Sequence, residues 1–223
     1  LQRYLNFGPT RPTYTFFLDQ IFAKHVPDSP IVSPDCRINP FLQTWSPMIL
    51  SLPEPCKTIL KTAHEFNVRL DALNVDNELK CSLPIWFHPA ADKNLNYLNN
   101  SRPSKCLRTF HSVRTVGDLM AITTGDNLRH SRRKNCACPT CKYDRNLSCI
   151  GPYACRDEAH KLLDCLHLKW DPRCELHQPN PALTTEELLE NKQAFDQKEP
   201  VIFDPNITMK LSIALGFKCC QQT

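Results

Sequence analysis

Glycine is scarce in this chain, with 5 among 223 residues, against an average usage of about 7%. Neither GxGxxG nor GxxxxGK[ST] occurs, which removes the commonest glycine-rich phosphate cradles. Neither HExxH nor H-x-E with PCxxC is present, so the usual signatures of a catalytic zinc are missing. No stretch approaches the roughly 18 to 20 uninterrupted apolar residues that a spanning helix needs, and Leu1 to Thr10 lack the apolar block of a secretory leader. Membrane and secretion readings both lose ground, and the expected compartment is intracellular, nuclear or cytoplasmic.

What remains is a chain with 41% hydrophobic and 22% charged residues and a mean hydropathy of −0.40, enough to build a core of one or two domains. It opens on Leu1 rather than Met and is therefore expected to be a piece of a longer protein. Proline is abundant, 19 residues in all. Nine of them fall in residues 1–53 and just beyond, from Pro9 to Pro55, and each restrains itself and its predecessor away from helix. Only Tyr14 to Ala23 has room for a helix there; the rest reads as an extended wrap with Phe16, Phe17, Phe41 and Trp45 as aromatic anchors.

Further on, Ile59, Leu60, Ala63 and Phe66 recur at helical spacing and predict a helix from Glu54 to Phe66. The run Cys81 to His88, broken by Pro84, suits a buried connector or edge strand. A brief helix is expected over Asp92 to Leu98. Another begins at Thr115, with Asp118 in the place of a capping-box acid, and stops at Gly125. Pro152 opens a longer one with Cys155, Ala159, Leu162, Leu163 and Leu166 on one face. A small capped helix is expected between Thr184 and Ala194, and a strand over Val201 to Pro205. The fold class expected is mainly α with irregular, proline-rich segments and a small zinc-stabilised module. The segments are 1–53, proline-rich; 54–128, helical; 129–170, the zinc module with its helix; and 171–223, an acidic linker.

Charge is segregated. Between Ser101 and Arg145, ten Lys or Arg face three Asp, a net of +7, whereas Asp157 to Asp204 holds eleven acids and five bases, a net of −6. A basic patch is the footprint expected of a protein that neutralises nucleic-acid phosphates, and the acidic stretch offers an intramolecular alternative. Arg129, Arg132, Arg133, Lys134, Lys142 and Arg145 are the candidate phosphate contacts.

Thirteen cysteines, an odd number, do not suit a fully paired disulfide framework, and five of them crowd into Cys136 to Cys155. Zinc takes four thiolate or imidazole ligands in a tetrahedron, and a CxxC pair brings two sulfurs to one ion. Cys138 and Cys141 are that pair, and Cys149 and Cys155 complete it most simply. Cys136 and His130 stand as alternates or as members of a second, shared site. Reduced thiols packing as small hydrophobes are the blander reading. Cys106 and His111 read better as core or surface residues than as ligands, Cys165 as packing, and Trp86 and Trp170 as anchors. His64, His88, His160 and His177 have no sequence partner, and Cys219-Cys220 reads as an incidental pair.

The order of several short segments resembles a known family. These are Phe41-Leu-Gln-Thr-Trp45, Leu83-Pro-Ile-Trp-Phe-His88, Lys93 through Asn100, Lys105-Cys-Leu-Arg108, His111-x-Val113 and Thr115-Val-Gly-Asp-Leu119. They continue with Asn135-Cys-Ala-Cys-Pro-Thr-Cys141, Asp144-Arg145, Cys149, Cys155, Leu162-Leu163, Lys169-Trp-Asp-Pro172 and Phe203-Asp-Pro205. Over about residues 41 to 210 the chain resembles a region of retrotransposon-derived polyproteins of mushroom-forming fungi. In those proteins the region precedes a ribonuclease H-like domain, and some members carry a reverse transcriptase. The resemblance implies no catalytic residue here: a ribonuclease H site typically opens with a strand bearing Asp-Gly, and no Asp-Gly pair occurs. It implies that the catalytic domain would begin beyond Thr223. The expected function is a non-catalytic zinc-binding module that meets the backbone of RNA or DNA. The alternatives are a scaffolding linker for neighbouring domains of the same polyprotein and a fragment of a metal-dependent nuclease.

Overall fold

Proline in the first helical turn fixes where several helices begin, because its φ suits that turn and its missing N–H would lack an intrahelical partner there. The computed structural model describes residues 1, 3–5, 11–27, 32–65, 68–70, 77–91, 95–124, 130–174, 200–201 and 217–220. It is mainly helical, with α1 (Thr13–Lys24), α2 (Glu54–Glu65), α3 (Asn77–Ser82), α4 (Leu95–Asn99), α5 (Arg102–Phe110), α6 (Val116–Thr124), α7 (Pro139–Asn146) and α8 (Pro152–Asp164). Helices α5, α7 and α8 each carry proline in the first turn, as the second residue of α5 and the first of α7 and α8. Among the described residues three short strands, β1 (Arg69–Leu70), β2 (Pro200–Val201) and β3 (Phe217–Cys220), pair antiparallel in the order β1-β3-β2.

Helices α1, α2, α6 and α8 lie where the sequence places them. The Thr115 cap is reciprocal: the Asp118 N–H donates to Thr115 Oγ1 at 3.2 Å, and Asp118 Oδ2 accepts the Thr115 N–H at 2.8 Å. Aspartate therefore closes the capping box despite its shorter reach. Helix α4 ends at Asn99, one residue past the expected Leu98; Asp92 to Asn94 and Gly125 lie outside the described residues, as do the helix expected over Thr184 to Ala194 and most of the strand expected over Val201 to Pro205. Helices α3, α5 and α7 are not announced by hydrophobic period because each is too short for one. Helix α5, of 9 residues, buries a single aliphatic side chain, Leu107, alongside Ser104 and Arg108.

Residues from Tyr4 to Trp170 contribute to one buried cluster, which spans the three segments expected at 1–53, 54–128 and 129–170. At its centre is the connector Leu83 to Phe87, in which every residue is buried. Trp86 donates its indole N–H to Val113 O at 2.8 Å, and the Arg108 guanidinium lies 4.7 Å above its ring centre. The proline-rich segment is tied on by Gln43, whose amide reaches Cys36 O at 2.7 Å and Trp86 O at 2.8 Å. Its Oε1 accepts from the Trp45 indole at 2.7 Å. A buried amide with its groups satisfied joins the wrap to the connector without an unpaired polar atom. Trp45 is an anchor as expected; Phe16 and Phe17 are not, being 51% and 61% exposed, because α1 turns Thr15 and Phe22 inward instead.

His88, at the end of the connector, is buried; its Nδ1 accepts the Ala90 N–H at 3.1 Å and its Nε2 has no hydrogen-bond partner. Burial first, and His167 second, hold its pKa down at about 4. The unfolded chain takes up a proton at this position near pH 6.5, whereas the folded chain resists until about pH 4. Its contribution to stability is thus whole above the higher value and is lost as pH falls toward the lower. Urea denaturation should show the wild type losing up to about 3 kcal/mol more than His88→Asn between about pH 7 and pH 4. Asparagine keeps an acceptor near the Nδ1 position but does not titrate, and equal losses in the two proteins would refute the assignment. Among the described residues no helix is long and apolar enough to cross a membrane.

Candidate metal centre

Helix α7 divides the cysteine-rich segment in two. Cys138 is its N-cap, with Sγ accepting the Cys141 N–H at 3.4 Å, and Pro139 opens the first turn. The helix ends at Asn146, after which Ser148 adopts φ 72°, the left-handed conformation usually filled by glycine. The Ser148 N–H donates to Arg145 O at 2.9 Å and the Cys149 N–H to Asp144 O at 3.0 Å, the paired bonds of a Schellman cap. Cys138 and Cys141 therefore sit at one end of the helix and Cys149 just past the other. Eight residues of helix rise about 12 Å, too far for both pairs to share an ion.

The expected grouping of Cys138, Cys141, Cys149 and Cys155 around a single ion is thus not what the chain assembles. Among the described residues two clusters form instead, each with its four ligand atoms within 4.8 Å of one another. The first unites His130, Cys136, Cys138 and Cys141. His130 Nδ1 lies 3.7 Å from the sulfurs of Cys136 and Cys138 and 3.3 Å from that of Cys141. The second unites Cys106, His111, Cys149 and Cys155. Its sulfurs are separated by 3.5 Å between Cys106 and Cys149 and by 3.6 Å between Cys149 and Cys155. A tetrahedral zinc with ordinary bond lengths needs S···S of about 3.8 Å and S···N of about 3.6 Å. These cages already have those edges, and the same separations are far beyond the roughly 2.05 Å of a disulfide.

Cys106 comes from α5 and His111 from the residue that caps it, while Cys155 lies in the first turn of α8. The imidazole is oriented from behind: His111 Nδ1 faces Asp144 Oδ1 at 3.7 Å, leaving Nε2 buried and without a hydrogen-bond partner. A buried ring nitrogen without a hydrogen-bond partner, beside three sulfurs, has the surroundings of a metal ligand. Asp144 also lies 3.5 Å from Arg156, both of them buried. Cys106 and His111, which as an isolated pair read as core or surface residues, are thus candidate ligands, because packing brings to them Cys149 and Cys155 from more than thirty residues away.

Proton affinities follow from the crowding. The hydrogen bond shared by Cys149 and Cys155 drives the Cys149 pKa down to about 4, with His111 adding to the effect, and pushes Cys155 up. Burial raises Cys106 to about 11. In the first cluster the Ser131 amide lowers Cys136 to about 6, whereas burial lifts Cys141 to about 12. Three sulfurs this close do not ionise together unless a cation neutralises them, so each cluster is built to lose its remaining protons to a metal. Both clusters are geometrically suited to a metal ion, and the donor set of three thiolates and one imidazole is that of structural zinc.

The candidate phosphate contacts are placed unequally. Arg132, Arg133, Lys134 and Lys142 are exposed around the first cluster, with Arg132 also 3.1 Å from Asp157. Arg145 instead turns inward, donating to Cys136 O and, at 3.4 Å, to Lys134 O, and so braces the loop. Arg129 lies outside the described residues. Compared with known families, curated proteins and solved structures, the chain matches none of them.

Proposed function

We propose that this chain is a non-catalytic module, stabilised by two zinc ions, that presents a basic loop to the backbone of a nucleic acid within a retroelement-derived, intracellular polyprotein. The observation that carries this reading is the loop between His130 and Cys136. Arg132, Arg133 and Lys134 project from a segment whose two ends are ligands of the same cluster, and Arg145 clamps its carbonyls. Cations held in this way meet phosphate without first giving up the conformational freedom of a loose loop. Each cluster supplies four protein donors, which leaves no coordination position for a reacting water and supports a structural role for the ions.

A salt titration tests it. With Arg132, Arg133, Lys134 and Lys142 on phosphates, log K for duplex DNA should fall against log salt with a slope of about −3.6. The Arg132→Glu/Arg133→Glu variant should lose binding to every sequence and flatten that slope by about half. Binding that is absent, or indifferent to salt, would refute nucleic-acid contact. Exposed Phe16, Phe17 and Leu50, the last 94% exposed, favour a second reading in which the chain also contacts a neighbouring protein domain.

A further inference from the structure

Beside the second cluster the surface opens into a cavity of about 490 Å³. Its walls combine Phe110 and Ile150, which are 40% and 64% exposed, with Tyr153, and its rim carries Arg102, Lys105 and Lys134. The volume is far larger than the ion cage behind it, whose sulfurs stand only 3.5 to 3.6 Å apart, and falls in the range that small-molecule pockets occupy. A second cavity borders the first across Arg102 and Pro103, which line both. It adds Tyr97, 81% exposed, and Lys161, whose ammonium lies 3.6 Å from Glu158. Aromatic rings and cations thus line both of these adjoining cavities, which together form one groove.

We infer that this groove binds single-stranded nucleic acid, with unpaired bases inserted against Phe110 and Tyr153 in the first cavity and against Tyr97 in the second, and with the intervening phosphates on Arg102, Lys105 and Lys134. The inference rests on the nucleic-acid reading above and adds which form is bound and where. Two physical arguments favour an unpaired strand. Bases in a duplex are already stacked, so only an unpaired base can slide its face onto an exposed ring; and every base has such a face, so the groove needs no particular sequence. The electrostatics agree. A zinc ion with three thiolates and a neutral imidazole carries a net −1, which the three rim cations more than offset, and Lys134 joins this groove to the basic loop around the first cluster.

The test uses the full zinc-loaded chain and fluorescein-labelled oligothymidylate of about 12 nucleotides, within the usual span of single-strand sites. A duplex of the same length serves as the comparison. The single strand should bind roughly tenfold more tightly. Phe110→Ala/Tyr153→Ala, with its zinc content verified, should weaken the single strand roughly ten- to hundredfold while leaving the duplex unchanged. Should that variant lose metal, photocrosslinking of bromouracil-containing strand to the wild type decides the matter, with Phe110, Tyr153 and Tyr97 as the expected adducts. Equal affinity for both forms, with crosslinks only at Arg132 and Arg133, would overturn the groove while preserving backbone binding. Failure to bind either form would remove both readings. Displacement of the strand by polyglutamate at matched charge, with no adduct at the three aromatics, would assign the groove to an acidic peptide instead.

Discussion

Elemental analysis of the purified chain is expected to return two zinc ions, and single ligand substitutions are expected to remove them one at a time. Cys141→Ser should leave one ion and Cys149→Ser should leave the other. A single site built from Cys138, Cys141, Cys149 and Cys155 predicts instead one ion, lost in both variants, so native mass spectrometry of three proteins separates the two arrangements. The consequences for stability should differ as well. Cys136, Cys138 and Cys141 form a small buried cluster apart from the main core, whereas Cys149 and Cys155 belong to that core together with Leu162, Leu163 and Trp86. Cys141→Ser should therefore expose residues 130–146 to protease and leave global unfolding little changed. Cys149→Ser should lower global stability by several kcal/mol, because structural zinc contributes about 10–16 kcal/mol to folding of isolated modules while a whole domain is stable by only about 5–15 kcal/mol. Retention of both ions in either variant would refute the ligand assignment.

The difference between one shared site and two marks where the sequence stopped being legible. A segment with five cysteines within twenty residues announces a metal by composition and spacing, and the CxxC pair announces its core. What spacing does not convey is that Cys-Pro-Thr-Cys is also a helix start. Proline at the first position and the Cys138 sulfur as a cap commit the next residues to α7, and a helix converts a short stretch of sequence into a fixed separation. Once Cys138 and Cys141 are satisfied by His130 and Cys136, Cys149 and Cys155 are left needing two donors that only tertiary packing of α5 on α8 can bring. The same contrast runs through the fold. Helices α1, α2, α6 and α8 carry either a repeating apolar face or a capping signal and were readable; α3, α5 and α7 are a few turns long and take their stability from neighbours. The aromatics of α1 were misassigned for a related reason: a helix that buries Phe22 cannot also bury Phe16 and Phe17, since only one face meets the core.

The second large effect is expected at a residue that ligates nothing. Asp144 lies on α7, whose N-cap and first turn hold two residues of the first cluster, yet its side chain serves the second cluster by facing His111 Nδ1 at 3.7 Å. Its other oxygen meets the buried Arg156 at 3.5 Å, and its carbonyl accepts the N–H of the ligand Cys149 at 3.0 Å. A carboxylate behind a ligating imidazole fixes which nitrogen carries the proton and aims the other at the metal, and losing such a partner typically weakens metal binding about 10- to 100-fold. Asp144→Asn preserves volume and should show that loss at the ion held by Cys106, His111, Cys149 and Cys155, with the other ion unaffected. Both variants lose the buried anionic charge beside the Arg156 guanidinium, a change of about 3 kcal/mol or more, and Asp144→Ala should destabilise the fold further because Asn still offers that guanidinium an oxygen to bond whereas Ala offers none. Competition against a chromogenic chelator resolves the two ions by affinity, and urea denaturation reads the stability difference. If both ions weaken equally in Asp144→Asn, the carboxylate acts on the fold as a whole and not through His111; if neither weakens, the imidazole is held in place by packing alone.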